Sequence, residues 1–316
     1  MRSRIILLVI LLVVAILWGI LKGAVDISFR DLFLPENQPI VILRLMRIAL
    51  SIVAGSGLAV SGIVLQAIMR NSLAEPYLLG TSSGAGLGAV IAIIIGVSWA
   101  TIPVFAFIGA IFSLVLVYNL ARQNGRIPEQ SLILSGVVVS IALSAIIVFM
   151  ISISGSEVLH GATWWLWGNL QVYDLKFLIM VSVTVFFGIA AIYIFFQDLN
   201  AISIGEEEAI HLGVNVNQVK RILIVLASLV TASIVSVCGI IGFVGLMIPH
   251  MMRLVVGPNH KVLIPATCLA AAIFMVFSDT LARTLLPPLE IPIGVITAAV
   301  GAPIFIILLK RSQRVK

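Results

Sequence analysis

The chain has 316 residues, of which 61% are hydrophobic and only 10% charged, with a net charge of +6 at pH 7 and a mean hydropathy of +1.22. This composition excludes an ordinary soluble domain, and because the apolar residues form continuous rather than alternating runs it also excludes an outer-membrane β-barrel. What remains is an all-α polytopic membrane protein embedded in a lipid bilayer, whose positive balance reflects basic loops and not a nucleic-acid surface.

Arg2 and Arg4 precede an apolar run over Ile5–Leu21. It reads as a first spanning helix rather than a signal peptide, since no small-x-small cleavage site follows before Lys22. A polar stretch from Lys22 to Pro39 leads into a long run, Ile40–Met69. Further runs lie at Tyr77–Val97, Ile102–Leu120, Ser131–Ile153, Leu175–Phe196, Val219–Ser236, Ile240–Val256, Val262–Leu286 and Pro292–Leu309, which predicts about ten transmembrane helices. With the N-terminus inside, thirteen of the 19 basic residues fall on the cytoplasmic side, so both termini are expected there.

The same parity places the loop after the sixth crossing inside, where the chain carries an acidic island, Gly205 to Gly213. Glu206, Glu207 and Glu208 would each cost roughly 2.5 kcal/mol or more in hydrocarbon, so this segment belongs in water. Gly205 and Gly213 suit the ends of a short helix, acids at its start match the helix dipole, and Ala209 with Leu212 gives it an apolar face. A solvated connector and a docking surface for a soluble partner both fit.

Gly80, Gly84 and Gly88 recur every four residues, and Gly55, Gly57, Ala59 and Ser61 line the second run, a pattern that favours close helix packing. The alternative is a passage, to which small side chains such as Ser82, Ser83 and Ser144 would contribute. Trp164, Trp165 and Trp167, in the outer loop before the sixth run, are expected to form an interfacial belt. Cys238 and Cys268 sit inside apolar runs and read as packing residues.

No G-x-x-x-x-G-K-[ST] loop occurs, so ATP dependence would have to come from a partner. His160, His211, His250 and His260 are scattered without ligand spacing, and no metal site is expected. Asp279 and Arg283, spaced i, i+4, can pair with each other. Arg44, Arg47 and Arg283 would form a basic patch outside, either snorkelling to headgroups or docking acidic residues of an extracytoplasmic protein. An ion-coupled carrier or an intramembrane enzyme would call for buried acids or a nucleophile with its base, which the helix centres barely offer.

Four stretches in order resemble the permease subunits of type II ABC importers for ferric siderophores, haem and cobalamin. They are Gly62–Gln66 leading to Arg70-Asn71-Ser72-Leu73-Ala74-Glu75-Pro76-Tyr77-Leu78-Leu79-Gly80; Gly205–Gly213; Gly239–His250 with Arg253; and Leu289–Val295 running into Gly301–Phe305. The resemblance implies one transmembrane permease domain over residues 1–316, in the cytoplasmic membrane of a prokaryote, working as a dimer with itself or a close paralogue. It implies two cytoplasmic ATPase subunits that use ATP and Mg, with no cofactor on this chain, and a substrate-binding protein outside.

By the same resemblance, a cytoplasmic loop at about 198–218 holds the coupling helices, with Gly205, Glu206, Ala209, Leu212 and Gly213 facing the ATPases. Asn71, Ser72 and Leu73 form a cytoplasmic gate, Ser144 borders the translocation path, and Arg44, Arg47 and Arg283 dock the binding protein. The chain departs from the family in having Ser72 and Met46 where prolines are usual.

Overall fold

The computed structural model describes residues 2–123, 127–172 and 174–313. Arg126, Arg314 and Lys316, three of the thirteen basic residues expected on the cytoplasmic side, lie outside them. Within the described residues the chain forms thirteen α-helices and no β-strand. They are α1 (Arg2–Leu21), α2 (Gln38–Ile68), α3 (Thr81–Ile95), α4 (Ile102–Ala121), α5 (Glu129–Ser152), α6 (Ser156–Leu166), α7 (Leu175–Ile194), α8 (Phe196–Ile204), α9 (Glu206–His211), α10 (Val216–Cys238), α11 (Val244–Val256), α12 (His260–Thr284) and α13 (Ile293–Gln313).

Each of the ten apolar runs yields a helix, because a backbone in hydrocarbon must satisfy its own polar groups. Seven of these are long and apolar enough to cross a membrane, while α3, α11 and residues Ile293–Leu308 of α13 are shorter apolar helices. The expectation of an outer loop around Trp164–Trp167 is corrected: Ser156–Leu166 is helical, and Trp165 packs in a cluster with Ala85, Ala89 and Val235 instead of lying at an interface. Trp167 alone of the three is strongly exposed. The run Val-Leu-His-Gly-Ala-Thr is too mixed to register as an apolar segment, which is why the helix was not legible.

The core is organised around α2. From Gly57 to Ile68 every one of its residues is buried, and it packs on α7, α10, α11 and α12. Small residues make these approaches possible. A Cβ at Gly62 would stand 1.9 Å from the Gly245 carbonyl oxygen of α11, and one at Gly84 would stand 2.3 Å from that of Gly109, where α3 meets α4. The glycine ladder is therefore a packing face, as expected. Gly84→Ala is expected to lower stability by about 1–3 kcal/mol, since backbone cannot yield cheaply. Gly155→Ala, where a Cβ would meet nothing within 4 Å, should leave thermal unfolding in detergent unchanged.

Between α10 and α11 the chain is irregular from Gly239 to Phe243, and Phe243 has a left-handed backbone (φ 69) at the start of α11. Buried irregular backbone needs partners from elsewhere. Tyr77 provides two: its hydroxyl donates to the Ile241 carbonyl at 3.0 Å and accepts from the Ile241 N–H at 3.1 Å. The Glu75 carboxylate accepts from the Phe243 N–H at 3.2 Å. Glu75→Gln, which keeps an acceptor oxygen, should fold normally. Glu75→Ala should lose about 1–3 kcal/mol through the orphaned donor, readable as a lower detergent melting temperature.

Candidate functional site

The α8–α9 segment breaks the run of long helices. Three carboxylates occupy the first turn of α9, His211 its last, and Gly213 (φ 84) closes it in a left-handed conformation. The Gly213 N–H donates to the Ile210 carbonyl at 2.9 Å and that of Val214 to Ala209 at 3.0 Å, a Schellman termination. The predicted apolar face is redistributed. Ala209 is fully buried and seats α9 on the body of the protein, so its assignment to a docking surface is corrected: its methyl faces inward. The exposed apolar residues are Ile204, Ile210 and Leu212, the last 70% exposed. Gly205 is buried and Glu206 half-buried.

Beside α9 lies the turn that follows α2. The Asn71 side chain accepts from the Leu73 N–H at 2.9 Å, and the Ala74 N–H donates to the Asn71 carbonyl at 3.1 Å, so this turn closes without a proline at Ser72. Asn71, Ser72 and Leu73 are all exposed. Gln66, at the end of α2, holds the turn from behind. Its amide donates to the carbonyls of Ala74 and Leu246 at 3.3 and 3.1 Å, and its oxygen accepts from Arg253 at 2.6 Å. The helix α2 runs without a break through Met46.

Ion pairs join these parts. Lys220 of α10 bonds Glu206 and, at 3.2 Å, Glu129 at the start of α5; Arg70 reaches Glu129 at 3.4 Å. A cleft of about 640 Å³ opens here, lined by Arg70, Glu129, Ile204 and Glu206–Glu208 among others. Burial alone would raise the pKa of Glu206, but the hydrogen bond and charge of Lys220 outweigh it and hold the carboxyl below its usual value. A depressed folded-state pKa means that the contact is complete above the ordinary carboxylate value, and is lost only as pH falls through the depressed one.

Ser144 lies exposed on α5 between Ile141 and Val148, on a face without charge. The opposite stripe of α5, Leu132, Gly136, Val139, Leu143 and Ile147, packs inward. The open face is thus free to border a path or a second copy.

At the other end of the molecule the three arginines do not form an exposed patch, which corrects that expectation. Arg47 donates to Asp279 at 2.9 Å and to Glu290 at 2.9 Å, and Arg283 pairs with Asp279 at 3.0 Å. Arg283 also donates to the carbonyls of Gly19 and Lys22, and Arg44 to those of Ile20 and Val25. Arg44 and Arg283 are each only 4% exposed. Their charge is spent inside the protomer, where it fastens the ends of α1, α2 and α12. Sequence reasoning foresaw the Asp279–Arg283 pair from its i, i+4 spacing; nothing local pointed to Arg47 or Glu290.

The FecCD transport family model matches residues 10–311. The cobalamin import system permease BtuC of Halobacterium salinarum is 42% identical over 87% of this chain and 75% of its own. The hemin transport system permease HmuU of Yersinia pestis is 35% identical over 97% of this chain and 96% of its own. Among solved structures, one described as an inward-facing ABC transporter of metal-chelate type superposes with a TM-score of 0.91 at 32% identity, covering 98% of this chain and 100% of that one.

Proposed function

The chain belongs to the FecCD transport family, and from that premise we propose that it is the membrane-spanning subunit of an ATP-driven importer that carries a metal chelate into a prokaryotic cell. Ferric siderophore is the first candidate substrate, with haem and cobalamin next; the names of the two relatives support the latter pair. All ten apolar helices cross the cytoplasmic membrane in this reading, as one domain with both termini inside. Two copies, or this chain and a paralogue, enclose the path. ATP and Mg belong to two separate ATPase subunits, and the chain itself carries no cofactor.

The observation that carries the proposal is the α8–α9 segment: a water-compatible element with exposed apolar side chains, fastened by ion pairs to the turn at Asn71–Leu73. A soluble ATPase gripping Ile210 and Leu212 would act on that turn as a gate. The path is lined by small or apolar groups such as Ser144, which hold a bulky chelate weakly enough to release it. Substrate arrives from a binding protein on the outer face, where Arg44, Arg47 and Arg283 brace the helix ends that it meets.

The test is reconstitution in liposomes with the cognate ATPase and binding protein, after identifying the ligand that co-purifies with the latter. Uptake of that chelate is expected only with ATP inside. Uptake driven by an ion gradient in vesicles lacking the ATPase would overturn the proposal in favour of a secondary carrier.

A further inference from the structure

We propose that Lys220 is the positioning residue that couples movement of α9 to the Asn71–Leu73 turn, through the alternating ion chain Glu206–Lys220–Glu129–Arg70. This rests on reading α8–α9 as the place where an ATPase acts.

The four charges come from four separate parts of the fold: α9, α10, the first residue of α5, and the turn residue just past the end of α2. Lys220 is the hub. Its side chain is only 6% exposed, and both of its carboxylate partners lie on other helices. Without these partners the buried ammonium would be left as an uncompensated charge away from water, so the two contacts hold while the elements move. The Arg70–Glu129 pair is different. At 3.4 Å, with the Arg70 side chain half-exposed, it can loosen and re-form.

Backbone geometry singles out the far end of the chain. The helix α2 ends in the same Schellman pattern as α9: the Arg70 N–H donates to Ala67 at 3.3 Å and that of Asn71 to Gln66 at 3.2 Å. At the left-handed position α9 has Gly213, as the motif favours, whereas α2 has Arg70 with φ 43. A side chain there costs conformational energy that glycine avoids, and such strain is kept where the side chain has a task. The visible task of Arg70 is to reach Glu129 from the residue that opens the gate turn. A displacement of Glu206 therefore reaches Asn71 through three ion-pair contacts and one residue of backbone.

The test uses the full assembly with its cognate ATPase in nanodiscs, carrying Leu73→Cys in a Cys238→Ala, Cys268→Ala background. Maleimide labelling of position 73 is measured without nucleotide and in the ATP–vanadate state, alongside ATP hydrolysis. In the parent protein the labelling rate is expected to change by about tenfold between states. With Lys220→Met, hydrolysis should persist while the two labelling rates become equal, and Lys220→Arg should restore most of the difference. A merely structural lysine would alter assembly or stability without equalising the rates. Parent-like nucleotide dependence in Lys220→Met overturns the proposal. Should that variant fail to assemble, Glu129→Gln, which leaves the Glu206–Lys220 contact in place, decides in the same terms. If the parent shows neither ATP hydrolysis nor a change in labelling, the importer reading itself fails and the ion chain falls with it.

Discussion

Leu212→Asp is expected to abolish ATP-dependent uptake while leaving the membrane subunit folded. Leu212 is 70% exposed at the end of α9, on the water-facing side of a segment whose buried contact is made by Ala209. Its loss therefore removes nothing from the core. If an ATPase covers it, the contact is worth roughly 1.5–3 kcal/mol of apolar burial, and a carboxylate there adds a desolvation penalty. Affinity for the ATPase should fall about ten- to a hundredfold or more, measured by titrating the purified subunit with its partner. Thermal unfolding of the isolated subunit should not change. Wild-type affinity in the variant would mean that docking lies elsewhere. Glu206 would behave differently, since it faces Lys220 and its replacement would disturb the ion chain rather than the docking surface.

The largest stability effect is expected at Asp279. Its carboxylate is 1% exposed and receives Arg47 on one oxygen and Arg283 on the other. Asp279→Ala leaves Arg283 with backbone carbonyls alone and Arg47 with Glu290 alone, and breaking a buried pair in this way costs about 3–5 kcal/mol. Asp279→Asn keeps part of the hydrogen bonding and should lose less. The measurement is thermal unfolding in detergent, and an Asp279→Ala protein melting with the wild type would refute the ion cluster. Glu290→Gln should matter less, because Glu290 is a third exposed. Burial raises its pKa, yet Arg47 outweighs this and holds it below the usual carboxylate range. Its contribution is therefore complete above the ordinary value and fades only as pH falls through the depressed one.

The two ends of the molecule differ in how far they could be read beforehand. At the α9 end, the short helix, its wet environment and its glycine terminator were all legible, because each depends on residues within one turn of each other. The inward turn of Ala209 was not, since which side of a six-residue helix is covered depends on the helices it rests against. At the arginine end the error was larger. Arg44 and Arg47 looked like free positive charge because their partners are either backbone carbonyls or acids far along the chain: Arg47 and Asp279 are 232 positions apart, and Arg47 and Glu290 are 243.

By itself, the amino-acid order determined where the long apolar helices form and which segment must stay in water. Those follow from solvation and local backbone rules, properties that a residue carries wherever the chain goes. The tertiary structure alone decided that Arg44, Arg47 and Arg283 are internal fasteners, that Tyr77 and Glu75 complete the broken backbone near Phe243, and that Lys220 joins α9 to α5. Such pairings depend on distance, and distance is set when glycine-faced helices pack closely enough to bring remote charges together.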